Sequence, residues 1–324
     1  MTDPVLAVLY IITFPGFFFL TAYSLLFEYI DRKIVARMQA RVGPPLYQPL
    51  ADLIKMLGKE VIDPSGVDRV VFDAAPIIAL AAVMTAFLYI PIVADSPFAF
   101  QGDLVVILYL LSIPTMALFL IGWLSRNIYA AVGGIRAVTQ LFIYEVPFFL
   151  VLLTPALMAG TWSLSEIARW QQGHAWFALL QPIAFIVALV CLQAKVERTP
   201  FDIPEADTEL VAGPWTELTG RRLAVMHLAF DVYLVVGCAL VAAVFLGGPF
   251  LPWTFVPAWI RWGAGFFVFL VKTLALLVVL SAFKAATGRI RIDQLNRIGW
   301  KYLTGAALLQ VALVLAMNAL QVIA

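Results

Sequence analysis

The chain has 324 residues, 63% of them hydrophobic and only 13% charged, with a formal net charge of +1 and a mean hydropathy of +0.96. Soluble globular domains carry about 25% charged and about 45–50% apolar residues, so this composition excludes a water-soluble enzyme or nucleic-acid binder. It points to an integral membrane protein with several spans. The cysteines Cys191 and Cys238 lie in apolar stretches and the histidines His174 and His227 are far apart, so neither pair makes a metal or cluster motif.

Apolar runs of about 20 residues mark the spans. Eight are expected, at 4–28, 70–94, 103–124, 137–160, 175–195, 223–247, 258–284 and 300–322. The fold class is therefore all-α and polytopic, a single integral membrane domain over 1–324. The opening MTDPVLAVLY lacks a basic n-region and reads as a retained first helix rather than a cleaved signal. No internal repeat of the transporter kind is visible.

Glu28 ends span one and reads as a snorkelling terminal residue or an intramembrane acid. The connection 29–69 opens with DRKIVARMQARVGPP and continues with LYQPLADLIKMLGKE. In the second stretch Leu46, Leu50, Leu53, Ile54 and Leu57 recur at helical spacing, with Asp52, Lys55 and Lys59 off that face. This is an amphipathic helix, lying in the membrane interface or packed on its own bundle. Glu145 falls inside span four, two residues before Pro147. Asp231 lies about two turns into span six, and Lys272 near the middle of span seven. A charge in hydrocarbon costs at least a few kcal/mol. Glu145 and Lys272 are therefore members of a structural ion pair or of a proton path, and Lys272 is expected to pair with an intramembrane acid.

The connection 196–222 reads, from Glu197, ERTPFDIPEADTELVAGPWTELTGRR. It holds six of the chain's 20 acids: Glu197, Asp202, Glu205, Asp207, Glu209 and Glu217. Pro200, Pro204 and Pro214 rule out one uninterrupted helix. Calcium-loop spacing, a glycine-rich phosphate loop and a nucleophile with a base beside it are all missing from the sequence. The chemistry left for the acids is proton movement.

The connections after spans one, three, five and seven carry eighteen of the 21 basic residues, counting span ends: Arg32, Lys33, Arg37, Arg41, Lys55, Lys59, Arg69, Arg126, Arg136, Lys195, Arg198, Arg221, Arg222, Lys284, Arg289, Arg291, Arg297 and Lys301. The opposite side holds only Arg169 and Arg261. This asymmetry puts the charged connections in the cytoplasm and both termini outside. Trp162, Trp170, Trp253 and Trp259 sit near outer span ends, as aromatic anchors do.

Three motifs, DRKIVARMQARVGPP with QPLADLIKMLGKE, YEVPF, and RTPFDIPEADTELVAGPWTELTG, resemble the heel membrane subunit of respiratory complex I (the NADH-quinone oxidoreductase) and its relatives in membrane-bound, energy-converting hydrogenases. The resemblance covers nearly the whole chain. It implies the heel subunit of a redox-driven ion pump, not catalytic alone. That subunit binds no cofactor itself. Iron–sulfur clusters, and a nickel–iron centre or a quinone in some members, belong to partner subunits. The implied partners are hydrophilic iron–sulfur and large catalytic subunits on the cytoplasmic side, with small and antiporter-like subunits in the membrane. The family's acidic channel residues map onto Glu145, Asp202, Glu205, Asp207, Glu209 and Glu217, to which the residues themselves add Glu197, Asp231 and Lys272. The docking surface maps onto Arg32, Lys33, Arg37 and Arg41, with Asp52, Lys55, Lys59 and Glu60 adjoining; Asp31, Arg198, Arg221 and Arg222 extend it.

Three departures bear on function. GPPLYQPLAD is shorter than the complex I pattern and, like AGP at 212–214, looks like the hydrogenase branch. The family's acid five positions before the PFD proline is Lys195 here, with Glu197 two residues later. The family's ERK is DRK at Asp31. The favoured expectation is a hydrogenase-type complex. The alternatives are the quinone-chamber subunit of a complex I-type reductase and a stand-alone secondary transporter.

Overall fold

The computed structural model describes residues 4–250 and 258–320, all helix, turn or loop within them. The helices are α1 (Pro4–Ile12), α2 (Phe17–Met38), α3 (Gln48–Leu57), α4 (Arg69–Leu88), α5 (Asp103–Leu110), α6 (Ile113–Leu124), α7 (Ile128–Ala159), α8 (Leu164–Gly173), α9 (Phe177–Leu180), α10 (Pro182–Lys195), α11 (Asp207–Leu210), α12 (Gly220–Leu246), α13 (Ala258–Ala286), α14 (Ile292–Arg297) and α15 (Thr304–Ala319). A 3₁₀ turn covers Gly213–Glu217, and the turn Ile298–Leu303 between α14 and α15 is wound as π-helix.

Seven stretches among the described residues are long and apolar enough to cross a membrane: Val8–Met38, Arg69–Leu88, Asp103–Leu124, Ile128–Ala159, Gly220–Leu246, Gly263–Ala286 and Ile292–Ala319. The fifth expected span is instead broken. α10 has 14 residues, about 21 Å of helix, against a hydrocarbon core of about 30 Å. Pro182 cannot donate the backbone bond that would join α9 to α10. The break at Gln181 is satisfied by side chains: the Thr154 hydroxyl donates to the Gln181 carboxamide oxygen at 2.6 Å.

The first connection also begins later than expected. α2 runs through the basic segment to Met38, supported by the (i, i+4) ion pair of Glu28 and Arg32. α7 starts at Ile128, where Asn127 caps it by accepting the Tyr129 amide at 3.0 Å. α12 is central, and beyond Asp231 it is apolar all round: 89% of its apolar window lies inside the bundle, against 17% for Ile292–Ala319. α3 lies across α2 and α12. Pro49, Leu53 and Met56 face the bundle, while Leu46, Leu50, Ile54 and Leu57 are exposed. The expected packing on the bundle is thus present, and the opposite apolar face is left uncovered by this chain.

Of the expected aromatic anchors, Trp162 is exposed and Trp170 stacks on His174 and Phe177. Trp253 lies outside the described residues, and of Trp259 only the backbone is described.

The charged connections meet at one end of the bundle. The Thr219 hydroxyl accepts the Ile62 amide at 2.8 Å, and Arg222 pairs with Asp63 at 2.7 Å and with Asp73. The 3₁₀ turn docks on α7 because both sides lack a side chain. A Cβ on Gly133 would lie 2.7 Å from Pro214, and one on Gly213, at φ +54°, would lie 2.2 Å from the Pro204 carbonyl oxygen. Gly160, at φ +69°, has open space around it. Gly213→Ala is therefore expected to destabilise the acidic connection by more than about 2 kcal/mol, from backbone strain plus the clash. Gly160→Ala should cost about 1 kcal/mol, from strain alone. Thermal unfolding of the two variants, with protease sensitivity of 197–217, compares them.

Candidate functional site

The chain places five carboxylates around one cavity of about 270 Å³ at the charged end: Glu28, Asp31, Glu197, Glu205 and Asp231. Arg32, Arg198 and Lys284 share the wall with Trp215, His227 and Phe230. A second cavity, about 190 Å³, lies under α3 and shares Glu28, Arg32, His227 and Asp231 with the first.

Opposite charges neutralise much of the wall. Asp31 is buried and pairs with Arg198 and, at 3.3 Å, with Lys284, and it accepts the Ser281 hydroxyl at 2.5 Å. Asp31 thereby ties α2 and α13 to the start of the acidic connection. Arg32 bridges Glu28 to Asp52, the latter at 2.9 Å. Hydrogen bonding from Arg32 holds Asp52 below the usual carboxylate range.

Further along the acidic connection, Arg289 grips Asp202 through two bonds of 2.9 and 2.6 Å. Arg136 holds Glu209 at 2.6 Å and lowers its pKa. Glu217 accepts the Asn127 amide at 2.7 Å. Asp207 begins α11; its side chain lies outside the described residues.

Glu197 differs from these. It is buried, its Oε1 has no hydrogen-bond partner, and the Thr115 hydroxyl lies beside it. Burial pushes its carboxyl up to about 8, and the nearby Glu205 charge adds to the rise. Thr115 contacts the buried Tyr144 hydroxyl at 3.4 Å. Next to Tyr144 in sequence, Glu145 accepts a 2.5 Å bond from Lys195, whose side chain is completely buried between the rings of Tyr144 and Phe148. Glu145 remains 27% exposed on the flank of the bundle. Acids, hydroxyls and an amine therefore run from the cavity to that flank, groups able to hand protons on.

Lys195 is absent from the path that sequence reasoning assembles. A lysine on an otherwise apolar run is the available signal, but its position at a span end suggests solvent. Three residues expected on the docking surface, Asp31, Arg198 and Arg222, are instead turned inward, because each has an opposite charge from a distant connection to neutralise it. Arg32, Arg37, Arg41, Lys55, Lys59, Glu60 and Arg221 are exposed at the same end. Lys33 is half-buried and donates to the Pro44 carbonyl at 3.5 Å.

Among the described residues, Lys272 does not meet an acid. Its ammonium donates to the carbonyls of Leu246 and Gly248, at 2.5 and 2.8 Å, near the far end of α12. The orphan carbonyls of a helix end satisfy a buried cation without a carboxylate. Among the described residues, no group of three or more His, Cys, Asp or Glu is arranged to hold a metal.

A family model described as NADH dehydrogenase matches residues 10–315. The chain belongs to the NADH dehydrogenase family. It is 34% identical to an NADH-quinone oxidoreductase subunit of Carboxydothermus hydrogenoformans, over 95% of this chain and 88% of that protein. Identity to subunit 8 of the Thermus thermophilus NADH-quinone oxidoreductase is 36%, over 90% and 81% of the two chains. A solved chain of an archaeal respiratory complex, the membrane-bound sulfane sulfur reductase, superposes with a TM-score of 0.83 at 29% identity, covering 96% of this chain and 98% of that one. The protein is thus a membrane subunit of a redox-driven, respiratory-type oxidoreductase complex. Its family is the one its motifs resemble, and the seven apolar stretches among the described residues that are long enough to cross a membrane agree with a membrane subunit.

The raised carboxyl of Glu197 has a consequence for pH. Its folded-state value exceeds the ordinary glutamate value of 4.5, so the folded connection holds a proton that the unfolded one releases. That contribution to stability is complete below about pH 4.5 and is lost as pH rises to about 8. Hydrogen-exchange protection of 197–210, corrected for intrinsic rates, should fall across that window in wild type and stay flatter in Glu197→Gln.

Proposed function

We propose that this chain is the heel subunit of a multi-subunit redox-driven ion pump of the hydrogenase-like type. Its charged end faces the cytoplasm and docks a peripheral arm whose iron–sulfur clusters sit in partner subunits. Antiporter-like subunits continue the membrane arm. The exposed residues Arg32, Arg37, Arg41, Lys55, Lys59, Glu60 and Arg221 form the docking face. Asp31, Arg198 and Arg222 brace the connections beneath it.

The observation that carries this reading is the polar line from the cavity through Glu197, Thr115 and Tyr144 to the Glu145–Lys195 pair. Redox chemistry in the docked arm changes the field over the acidic connection. Glu205 and Glu197 then exchange protons, which pass towards Glu145 and out of the flank to a neighbouring membrane subunit. Asp202, Glu209 and Glu217, each held by a partner, position the connection rather than carry protons themselves. Asp231 borders the cavity. Lys272 stands apart from this line, and its part in the path has no geometric support.

A second reading, the quinone-chamber subunit of a complex I-type reductase, is favoured by the names of the curated relatives and by His227 on the cavity wall. The chemistry of the wall argues the other way. Cofactor pockets for apolar ligands are lined mainly by hydrophobic and aromatic groups with few polar ones, whereas this cavity has eight charged side chains among its thirteen lining residues. That wall suits water and protons. A quinone, if bound, would lie against Trp215 and Phe230 with His227 as its hydrogen-bond partner. Photoaffinity labelling of this chain by an azidoquinone would support that reading.

In the assembled complex, Glu145→Gln and Glu205→Gln are each expected to leave electron transfer running while ions pumped per electron fall by about half or more. Unchanged stoichiometry in both variants would contradict the proposal. Lys195→Met leaves Glu145 without its cation and should cost assembly about 3 kcal/mol or less, given the partial exposure of Glu145. The double variant with Glu145→Gln should recover assembly but not pumping.

A further inference from the structure

We propose that the exposed flank of α15 and the π-wound turn before it bind an anionic phospholipid of the phosphatidylglycerol type. The turn is fixed to the bundle at one point: Gly299 is buried against Ile143, whose Cγ2 would lie 2.1 Å from a Cβ at 299. The three residues that follow, Trp300, Lys301 and Tyr302, are all exposed. The Lys301 ammonium sits 5.7 Å from the Tyr302 ring centre. Arg297, one turn earlier, is exposed as well. Among the described residues neither Arg297 nor Lys301 pairs with a carboxylate, in contrast to the neutralised cations of the charged chamber.

Beside these cations lies a cavity of about 520 Å³ lined by Ile290, Asp293, Gln294, Arg297 and Ile298. Beyond the turn, α15 exposes Leu308, Leu309, Leu313 and Leu315. An unpaired Arg297 on the cavity wall, Lys301 one turn on beside the Tyr302 ring, and an uncovered apolar helix beyond are complementary to one molecule. A phosphate meets the cations, the rings lie at the headgroup boundary, and an acyl chain follows the leucines. Asp293 on the wall repels phosphate, which places it against Arg297 and Lys301. The hydroxyls of a glycerol headgroup can donate to Asp293 and to the Gln294 carboxamide oxygen. A neighbouring protein subunit would cover the leucines but would leave the two cations needing a partner.

The test uses the assembled complex, purified and stripped of lipid, with wild-type chain and with Arg297→Gln/Lys301→Gln. Its thermal stability is titrated with phosphatidylglycerol, phosphatidylcholine and inorganic phosphate. Phosphatidylglycerol is expected to stabilise the wild type, and the double variant should need more than about tenfold more of it for the same shift. Phosphatidylcholine and inorganic phosphate should do neither. In parallel, a photo-crosslinking amino acid at position 300, introduced in native membranes, should yield a lipid adduct. Equal titration of wild type and variant, equal stabilisation by phosphatidylcholine or phosphate, or a crosslink to a protein subunit in place of lipid would each overturn the proposal.

Discussion

Lys195 carries its ammonium to a point with no exposure at all, and the Glu145 carboxylate at 2.5 Å answers it. An unpaired ion at that depth would be costly enough to move the helix that bears it, so the pair fixes α10 against α7. Everything that follows α10 inherits that position. Glu197, two residues later, is drawn under the bundle's edge, and Arg198 is brought to Asp31. The acidic connection then crosses α7 where Gly133 and Gly213 leave room for it. The same ion pair that holds two helices together is the outer end of the polar line from the cavity.

Charge neutralisation across connections ties the loops at this end of the molecule to one another. Asp31, Asp202, Glu209 and Asp63 each receive a cation from a segment far away in the chain. Surface ion pairs contribute little singly. These join four connections into one network; Asp31 and Asp202 are largely withdrawn from water, so removing the cation of either leaves a desolvated charge behind, whereas Glu209 stays exposed. Glu197 is a carboxylate that the network leaves without a cation, and its raised affinity for a proton is the physical result.

Much of this was legible in the sequence. The length of the apolar runs gave the membrane class, and the density of acids between 197 and 217 drew attention to a connection of which Glu197 and Glu205 line the charged cavity. What the sequence could not convey was direction. Arg198 and Arg222 look like surface cations until Asp31 and Asp63, more than a hundred residues away, are brought beside them. Lys272 sits mid-span, where an acid partner is the natural expectation, yet the carbonyls at the end of α12 satisfy it. The fifth span reads as continuous because Pro182 is one residue in an apolar run, while the helix it interrupts cannot continue through it. Each of these depends on tertiary neighbours that periodicity and composition do not encode.

Membership of the NADH dehydrogenase family, with relatives that are subunits of membrane complexes, makes the chamber's protonation the central matter. The most direct measurement is redox-triggered infrared difference spectroscopy on the assembled complex, wild type against Glu197→Gln. The account predicts that reduction of the peripheral arm produces a protonated-carboxyl difference band in the wild type, absent in the variant. A wild-type spectrum with no carboxyl change on reduction, or one unaltered by Glu197→Gln, would contradict it.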